Sequence, residues 1–183
     1  VFVYVYNSLD QRYSTRIAQT DSAGQYTATG LYYGQYYLYF DVRDSVHVDE
    51  YYDNAQEMPL AKPVKVAIDT VVSGIDAQLA KGSSVTGRVT NTQGEGLPRV
   101  MVNGYSSLTD EYPNATTTTD NSGYYTLTSL AAGAYFIKFT PGFYDYNTEY
   151  ARQYYNDKTH RRVANVVTVA ANSVVPNINA VLK

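Results

Sequence analysis

Cysteine and tryptophan are absent from the 183 residues, and histidine and methionine occur only twice each. Without cysteine the chain cannot form disulfide bonds, thiolate nucleophiles or cysteine-ligated metal sites. The chain also lacks an apolar run of the roughly 18 residues that a membrane-spanning helix needs, and it shows no charged-then-apolar leader. Its net charge of −3 gives no basic excess for binding nucleic acid. The sequence therefore predicts neither a membrane span nor a nucleic-acid partner.

Tyrosine is the residue that the chain has in excess. There are 21 tyrosines and 5 phenylalanines, and 44% of the residues are hydrophobic while 17% are charged. This balance is typical of a folded protein rather than a disordered tail. A length of 183 residues accommodates one large domain or two small ones.

The sequence repeats itself once. A shift of 99 positions aligns TDSAGQYTATGLYYGQYYLYF, which starts at Thr20, with TDNSGYYTLTSLAAGAYFIKF, which starts at Thr119. The aspartate, the first glycine and the following tyrosine coincide in the two strings, as do the later leucine, glycine, tyrosine and phenylalanine. A match of this extent indicates two copies of one structural unit.

A four-residue insertion separates the later parts of the two copies. Tyr51 aligns with Tyr154 at a shift of 103 rather than 99, which places the insertion near 142–148. Insertions of this kind occur in loops. We therefore expect two tandem domains, the first at 1–80 and the second at 81–183.

The hydrophobic pattern within each copy has a period of two. Val85, Gly87 and Val89 alternate with polar residues, and turn clusters such as DSAG and DNSG separate the alternating runs. Short alternating strands joined by such turns predict an all-β fold, an antiparallel sandwich. We expect about seven strands in the second copy and one fewer in the first. The DNSG cluster at Asp120 predicts a tight hairpin whose aspartate binds local amides.

The string SVTGRVTNTQGEGLPRVMV, followed by TTTDNSGYYTLTSLAAGAYFIKF, resembles the carboxypeptidase regulatory-like domain, a transthyretin-type β-sandwich. Surface-protein B-type modules of Gram-positive bacteria are similar. The resemblance implies two tandem Greek-key sandwiches in a secreted or cell-surface protein, with an accessory or spacer role. It carries over no catalytic residue, so we expect no enzymatic activity.

The first copy lacks its first strand. Val1 aligns with Val100, so the segment 82–99 has no counterpart in the first copy. In the second copy we expect Val85, Gly87 and Val89 to close one edge of the sandwich. An open sandwich exposes apolar core and unpaired amides, which is costly. We expect residues upstream of Val1, or less favourably a strand of another chain, to complete the first copy.

The polar residues predict no catalytic, cofactor or metal site. His47 and His160 fall in loops of different copies, and neither has a counterpart histidine or a suggestive neighbourhood for a triad. Asp21 and Asp120 are better explained as turn formers than as calcium ligands. Asn114, in the Asn-Ala-Thr sequence, is the only candidate glycosylation site.

The first copy has more aromatic residues than one core can hold. Alternation places Tyr36, Leu38 and Phe40 inward, which turns their neighbours outward. Outward aromatic residues are typical of contact surfaces because the ring buries area while the hydroxyl stays hydrogen-bonded. The candidate interface residues are Phe2, Tyr4, Tyr6, Tyr32, Tyr33, Tyr37 and Tyr39.

Two functions from different classes fit these observations. The first is a non-enzymatic extracellular or cell-surface structural protein, part of an array or fibre that assembles through tyrosine-rich surfaces and strand addition. Its partners are other copies of the chain or neighbouring repeats. The second is a carbohydrate-binding accessory module of a secreted hydrolase, because aromatic rings also stack on sugars. The sequence alone does not separate the two.

Overall fold

The computed structural model describes residues 1–9, 13–142 and 149–183. These residues form two compact units, Val1–Ala80 and Lys81–Lys183. Most of the segment predicted to carry the four-residue insertion lies outside the described residues.

The first unit contains a single antiparallel sheet. Its strands are β1 (Phe2–Tyr6), β2 (Arg16–Gln19), β3 (Gly34–Asp41), β4 (Glu50–Tyr51) and β5 (Val64–Val66). They are ordered β2-β1-β3-β4, and β5 also pairs with β3. A 3₁₀ turn at Met58–Leu60 precedes β5.

The second unit contains two sheets. Its strands are β6 (Ser83–Thr90), β7 (Met101–Tyr105), β8 (Ala115–Thr118), β9 (Tyr124–Leu130), β10 (Gly133–Thr140), β11 (Gln153–Tyr154), β12 (Val166–Val169), β13 (Val174–Val175) and β14 (Ala180–Val181). The first sheet has the order β11-β10-β7-β8, with β12 also paired to β10. In the second sheet, β6 pairs antiparallel with β9 and parallel with β13 and β14. A 3₁₀ turn spans Arg161–Val163.

Alternation determines which side chains enter the cores. Tyr36, Leu38 and Phe40 are buried on β3, as the sequence predicted. In the second unit the two sheets enclose one core, to which β6, β7, β9, β10 and β12 all contribute buried side chains. The all-β sandwich class is therefore confirmed.

The strand β6 is central rather than marginal. We expected it to close one edge, but β9, β13 and β14 all pair with β6, and among the described residues they pair with no other strand. In the first unit, the stretches that align with these three strands (25–31, 71–72 and 77–78) form no strand. The expected difference of one strand was therefore wrong. Within the described residues, the second unit has nine strands and the first has five. The four strands without a counterpart are β6 and the three that pair with it, β9, β13 and β14. Because those three take their ladder hydrogen bonds from β6, the first unit lacks all four together.

Three turns share one hydrogen-bonding pattern. The side-chain Oδ1 of Asp21, Asn91 and Asp120 each accepts the backbone N–H groups two and four residues later, at 2.8–3.0 Å. The predicted role of Asp120 in binding local amides is confirmed. The predicted hairpin is wrong, because its turn leads from β8 in one sheet to β9 in the other.

Within the described ranges, no helix is long and apolar enough to cross a membrane.

Candidate functional site

A row of four side chains crosses the outer face of the first unit's sheet. Ile17 lies opposite Tyr4, Tyr4 opposite Tyr39, and Tyr39 opposite Tyr51, one residue from each of four adjacent strands. The ring centroids are 6.4 Å apart for Tyr4 and Tyr39, and 4.8 Å apart for Tyr39 and Tyr51. The tyrosines are half-buried, while 58% of Ile17 is exposed. We call this set of four residues the aromatic row.

The aromatic row has this orientation because β1 and β3 bury their other faces. Val3 and Val5 on β1 are fully buried, so Phe2, Tyr4 and Tyr6 must point to the opposite side. Tyr37 lies opposite Tyr6 on the neighbouring strand and extends the same face. Aromatic cross-strand pairs of this kind stabilise a sheet by up to about 1 kcal/mol each.

Charged groups hold three rings of this face in place. The Arg43 guanidinium lies 4.1 Å from the Phe2 ring centroid, is 2.8 Å from the Asp41 carboxylate and also donates to the Tyr4 hydroxyl. The Tyr39 hydroxyl donates to Asp49 Oδ2 at 3.0 Å, and the other oxygen of Asp49 accepts the amide of Val42 at 2.8 Å. The rings therefore have defined positions, so less side-chain entropy remains to be lost when a partner binds.

Three tyrosine hydroxyls on this face have raised pKa values. Burial raises the pKa of Tyr39, and the neighbouring Asp49 carboxylate raises it further. Burial is also the largest cause of the raised pKa values of Tyr6 and Tyr51. These three hydroxyls consequently stay protonated across the physiological range.

The second unit carries polar residues in the same row. Thr116, Asn103, Lys138 and Tyr154 lie opposite one another in the same order across β8, β7, β10 and β11. Asn103 accepts a hydrogen bond from the Thr116 hydroxyl. Burial lowers the pKa of Lys138. The second unit therefore forms the same strand order with a polar row.

Tyr32 and Tyr33 occupy a different place. They precede β3 and are 81% and 74% exposed. With Leu31, Val66 and Ile68, among others, they line an open depression of about 380 Å³. Of the seven predicted interface residues, Tyr32 and Tyr33 thus line the depression. The other five share the outer sheet face, and these are Phe2, Tyr4, Tyr6, Tyr37 and Tyr39.

One histidine has a closer partner than the sequence suggested. His47 Nδ1 lies 2.7 Å from Asp44 Oδ2, while Asp44 Oδ1 accepts the backbone N–H groups of Val46 and His47. The expectation that neither histidine has a notable neighbour was wrong for His47. The hydrogen bond from the His47 amide is the largest cause that lowers the Asp44 pKa to about 2. All of these groups belong to one four-residue turn, which accounts for the pairing by local geometry.

Asn114 precedes β8 and is exposed. Its side-chain Oδ1 accepts the amide of Ser106 at 2.7 Å, and its own backbone N–H donates to Gly104 O at 2.8 Å. The described residues contain no group of three acidic or histidine side chains that could hold a metal ion.

Sequence reasoning missed Ile17, Tyr51 and Arg43. Ile17 and Tyr51 lie on strands of four and two residues, which are too short for alternation to indicate a face. The matching Tyr-Tyr pairs at 51 and 154 were visible in the alignment, but their cross-strand partners depend on register.

A protein-family model and several solved structures are similar to this chain. The carboxypeptidase regulatory-like domain model matches residues 84–183. No curated protein sequence matches the chain. Among solved structures, the Bacillus anthracis TIE protein shares 15% identity at a TM-score of 0.41, with 100% of this chain and 30% of that one covered. The Streptococcal ancillary pilin shares 15% identity at a TM-score of 0.32, with coverages of 98% and 56%.

A third solved structure is a type II cohesin–X-dockerin complex from Acetivibrio cellulolyticus. It shares 19% identity at a TM-score of 0.33, with 52% of this chain and 53% of that one covered. The chain thus spans between 30% and 56% of the length of the three structures it resembles.

Proposed function

The chain belongs to the carboxypeptidase regulatory-like domain family through residues 84–183, and from this premise we propose that it is a non-catalytic structural module of an extracellular or cell-surface assembly. In this proposal, the outer sheet face of the first unit packs against another copy of the chain or a neighbouring repeat. The observation that carries it is the contrast between the aromatic row and its polar counterpart in the second unit.

The contrast favours an interface because the second unit forms the same strand order with a polar row. Ile17, Tyr4 and Tyr39 stand where the second unit has Thr116, Asn103 and Lys138. Tyrosine and isoleucine on an outer face leave apolar area in water, and burying such area contributes roughly 25 cal/mol per Å². Tyrosine is also enriched among the residues that dominate interface energies.

The ring arrangement favours a protein partner over a sugar. The planes of Tyr4 and Tyr39 are inclined by 45°, and those of Tyr39 and Tyr51 by 44°. The row therefore presents edges and hydroxyls rather than one flat platform for a pyranose ring. Phe2 already has the Arg43 guanidinium over its ring.

The test replaces the aromatic row with residues that the chain itself uses. The triple variant Ile17→Thr, Tyr4→Asn and Tyr39→Lys reproduces the polar row of the second unit. We expect sedimentation velocity over a micromolar-to-millimolar range to show concentration-dependent association of the unmodified chain. The triple variant should associate at least about tenfold more weakly, since central interface tyrosines each contribute about 1–2 kcal/mol or more.

The matched control removes two exposed aromatic residues elsewhere. Tyr32→Ala with Tyr33→Ala reproduces Ala131 and Ala132 of the second copy, and this double variant should associate like the unmodified chain. A monomeric unmodified chain across the whole range would refute packing of this face against another copy of the chain. Saturable binding on a glycan array that the triple variant loses would replace it with the carbohydrate-binding function.

A further inference from the structure

The first unit contains a preformed cleft for a β-strand. In the second unit, the corresponding cleft is filled by β6, which lies between β9 on one side and β13 and β14 on the other. Val85 and Val89 of β6 are fully buried there. The described residues of the first unit contain no strand in this position.

The walls of the empty cleft are held together as in the occupied one. The Tyr125 hydroxyl donates to Ile178 O at 2.7 Å in the second unit, and the Tyr26 hydroxyl donates to Ile75 O at 2.7 Å in the first. Tyr125 meets Phe139 edge to face with a centroid distance of 5.9 Å. Tyr26 meets Phe40 in the same way at 5.9 Å. The stretches that bind β6 in the second unit thus have counterparts already in place in the first.

The apolar side chains of the empty cleft are incompletely covered. Leu127, Leu130, Ile178, Ala180 and Leu182 are at most 7% exposed beside β6. Their counterparts in the first unit are only partly buried, and these are Ala28, Leu31, Ile75, Ala77 and Leu79.

The backbone along the cleft forms no strand. Residues 25–31 align with β9 and residues 71–72 with β13, but neither stretch is a strand in the first unit. The Arg16 side chain donates to the carbonyls of Thr29 and Gly30, which leaves the stretch 26–28 as the part that faces an added strand. The cleft therefore offers both apolar area and backbone groups to an extended segment, which is the basis of strand addition.

The geometry also specifies the centre of the strand that fits. A Cβ atom on Gly87 would lie 2.1 Å from Ile178 O and 3.0 Å from a Tyr125 ring carbon. Real Cβ atoms do not approach backbone oxygens so closely, so only glycine fits between these two groups. Because Tyr26 and Ile75 form the same hydrogen bond, the empty cleft should impose the same requirement.

We propose that the first unit binds one extended peptide strand with the β6 pattern, in which apolar residues stand two positions before and two positions after an obligatory glycine. The strand pairs antiparallel with residues 26–28 and covers the partly buried side chains of the cleft. The cleft lies on the buried face of the first unit's sheet, whereas the aromatic row lies on the outer face. The proposal rests on the structural role proposed above, but it does not depend on the aromatic row.

The first test uses the full chain and a free peptide. The probe is a capped peptide with the sequence of Gly82–Asn91, GSSVTGRVTN. Its control carries valine in place of the glycine at position 87. Hydrogen exchange followed by mass spectrometry separates the two units, because 25–31 reports on the first and 124–130 on the second. We expect the glycine peptide to slow exchange at 25–31 by at least about tenfold and the valine peptide to have no effect.

The second test attaches the strand covalently, so that weak association of a free peptide does not decide the outcome. A copy of residues 82–99 is placed before Val1, which reproduces the junction between Arg99 and Val100. The fusion should protect 25–31, and a valine at the copied glycine position should remove that protection. Protection from either the free or the fused strand, with glycine dependence, supports the proposal.

Two results would overturn it. One is unchanged exchange at 25–31 with both the free and the fused strand, and the other is equal protection from the glycine and valine forms. The triple variant of the aromatic row separates this test from that of the proposed function. It should still bind the strand, even if it no longer associates.

Discussion

Replacing Gly87 with alanine tests the packing of the second unit at its tightest point. Gly87 lies in the middle of β6 opposite Tyr125. The added methyl group would meet Ile178 O at 2.1 Å and its carbonyl carbon at 2.6 Å. Both are backbone atoms, so no side-chain rotation relieves the contact.

The expected cost follows from what must move. Overpacking a core usually costs about 1–3 kcal/mol. Displacing Ile178 also strains two hydrogen bonds, from its N–H to Thr86 O at 3.0 Å and from the Tyr125 hydroxyl at 2.7 Å. Each such bond contributes about 1 kcal/mol. We therefore expect Gly87→Ala to lower the free energy of unfolding of the second unit by about 3–5 kcal/mol.

Differential scanning calorimetry measures the effect. For a domain of about 100 residues, each kcal/mol lowers Tm by about 4 °C or more, so a fall of at least about 12–20 °C is expected. Gly133→Ala is the matched control, because the new methyl group there meets only a Tyr135 ring carbon at 3.8 Å. It should shift Tm by less than about 4 °C. A similar small shift for Gly87→Ala would refute the packing argument.

Two further predictions concern pH. The Asp44 pKa is lowered to about 2 in the folded chain. The contribution of the Asp44 carboxylate to the free energy of unfolding is therefore complete above the unfolded pKa near 4 and disappears as pH falls to about 2. Acid titration followed by circular dichroism should show that Asp44→Asn removes this part of the pH dependence. Burial raises the Tyr26 pKa to about 12, so stability should fall from about pH 10 to 12. In Tyr26→Phe, the free energy of unfolding should fall less steeply between about pH 10 and 12. An unchanged pH dependence would contradict the argument that burial raises the Tyr26 pKa.

The inward residues were predictable because they follow local alternation. Tyr36, Leu38 and Phe40 lie on one eight-residue strand, and a period of two over that length indicates a single buried face. The turn role of Asp120 was equally local, since its side chain binds amides only two and four residues away.

The remaining features depend on distant partners, which the sequence does not specify. The aromatic row exists only because the register places Ile17 opposite Tyr4 and Tyr51 opposite Tyr39. Likewise, the residues of the DNSG turn are typical of a hairpin, but β9 pairs with β6 in the second sheet rather than with β8, which precedes the turn. That pairing depends on β6, which lies more than 30 residues earlier in the sequence.

The central position of β6 has a consequence for the order in which the second unit folds. The Ser83 hydroxyl donates a hydrogen bond to Ala170 O, 87 residues later in the sequence, and the Arg88 amide donates to Asn179 Oδ1, 91 residues later. Closing such long loops is slow, and a chain emerges from the ribosome at about 5–20 residues per second. We expect the nascent β6 to wait about 5–18 s for its last partner. During that interval β6 and its valines, which are buried in the folded unit, are exposed, and the strand can pair with that of a neighbouring nascent chain.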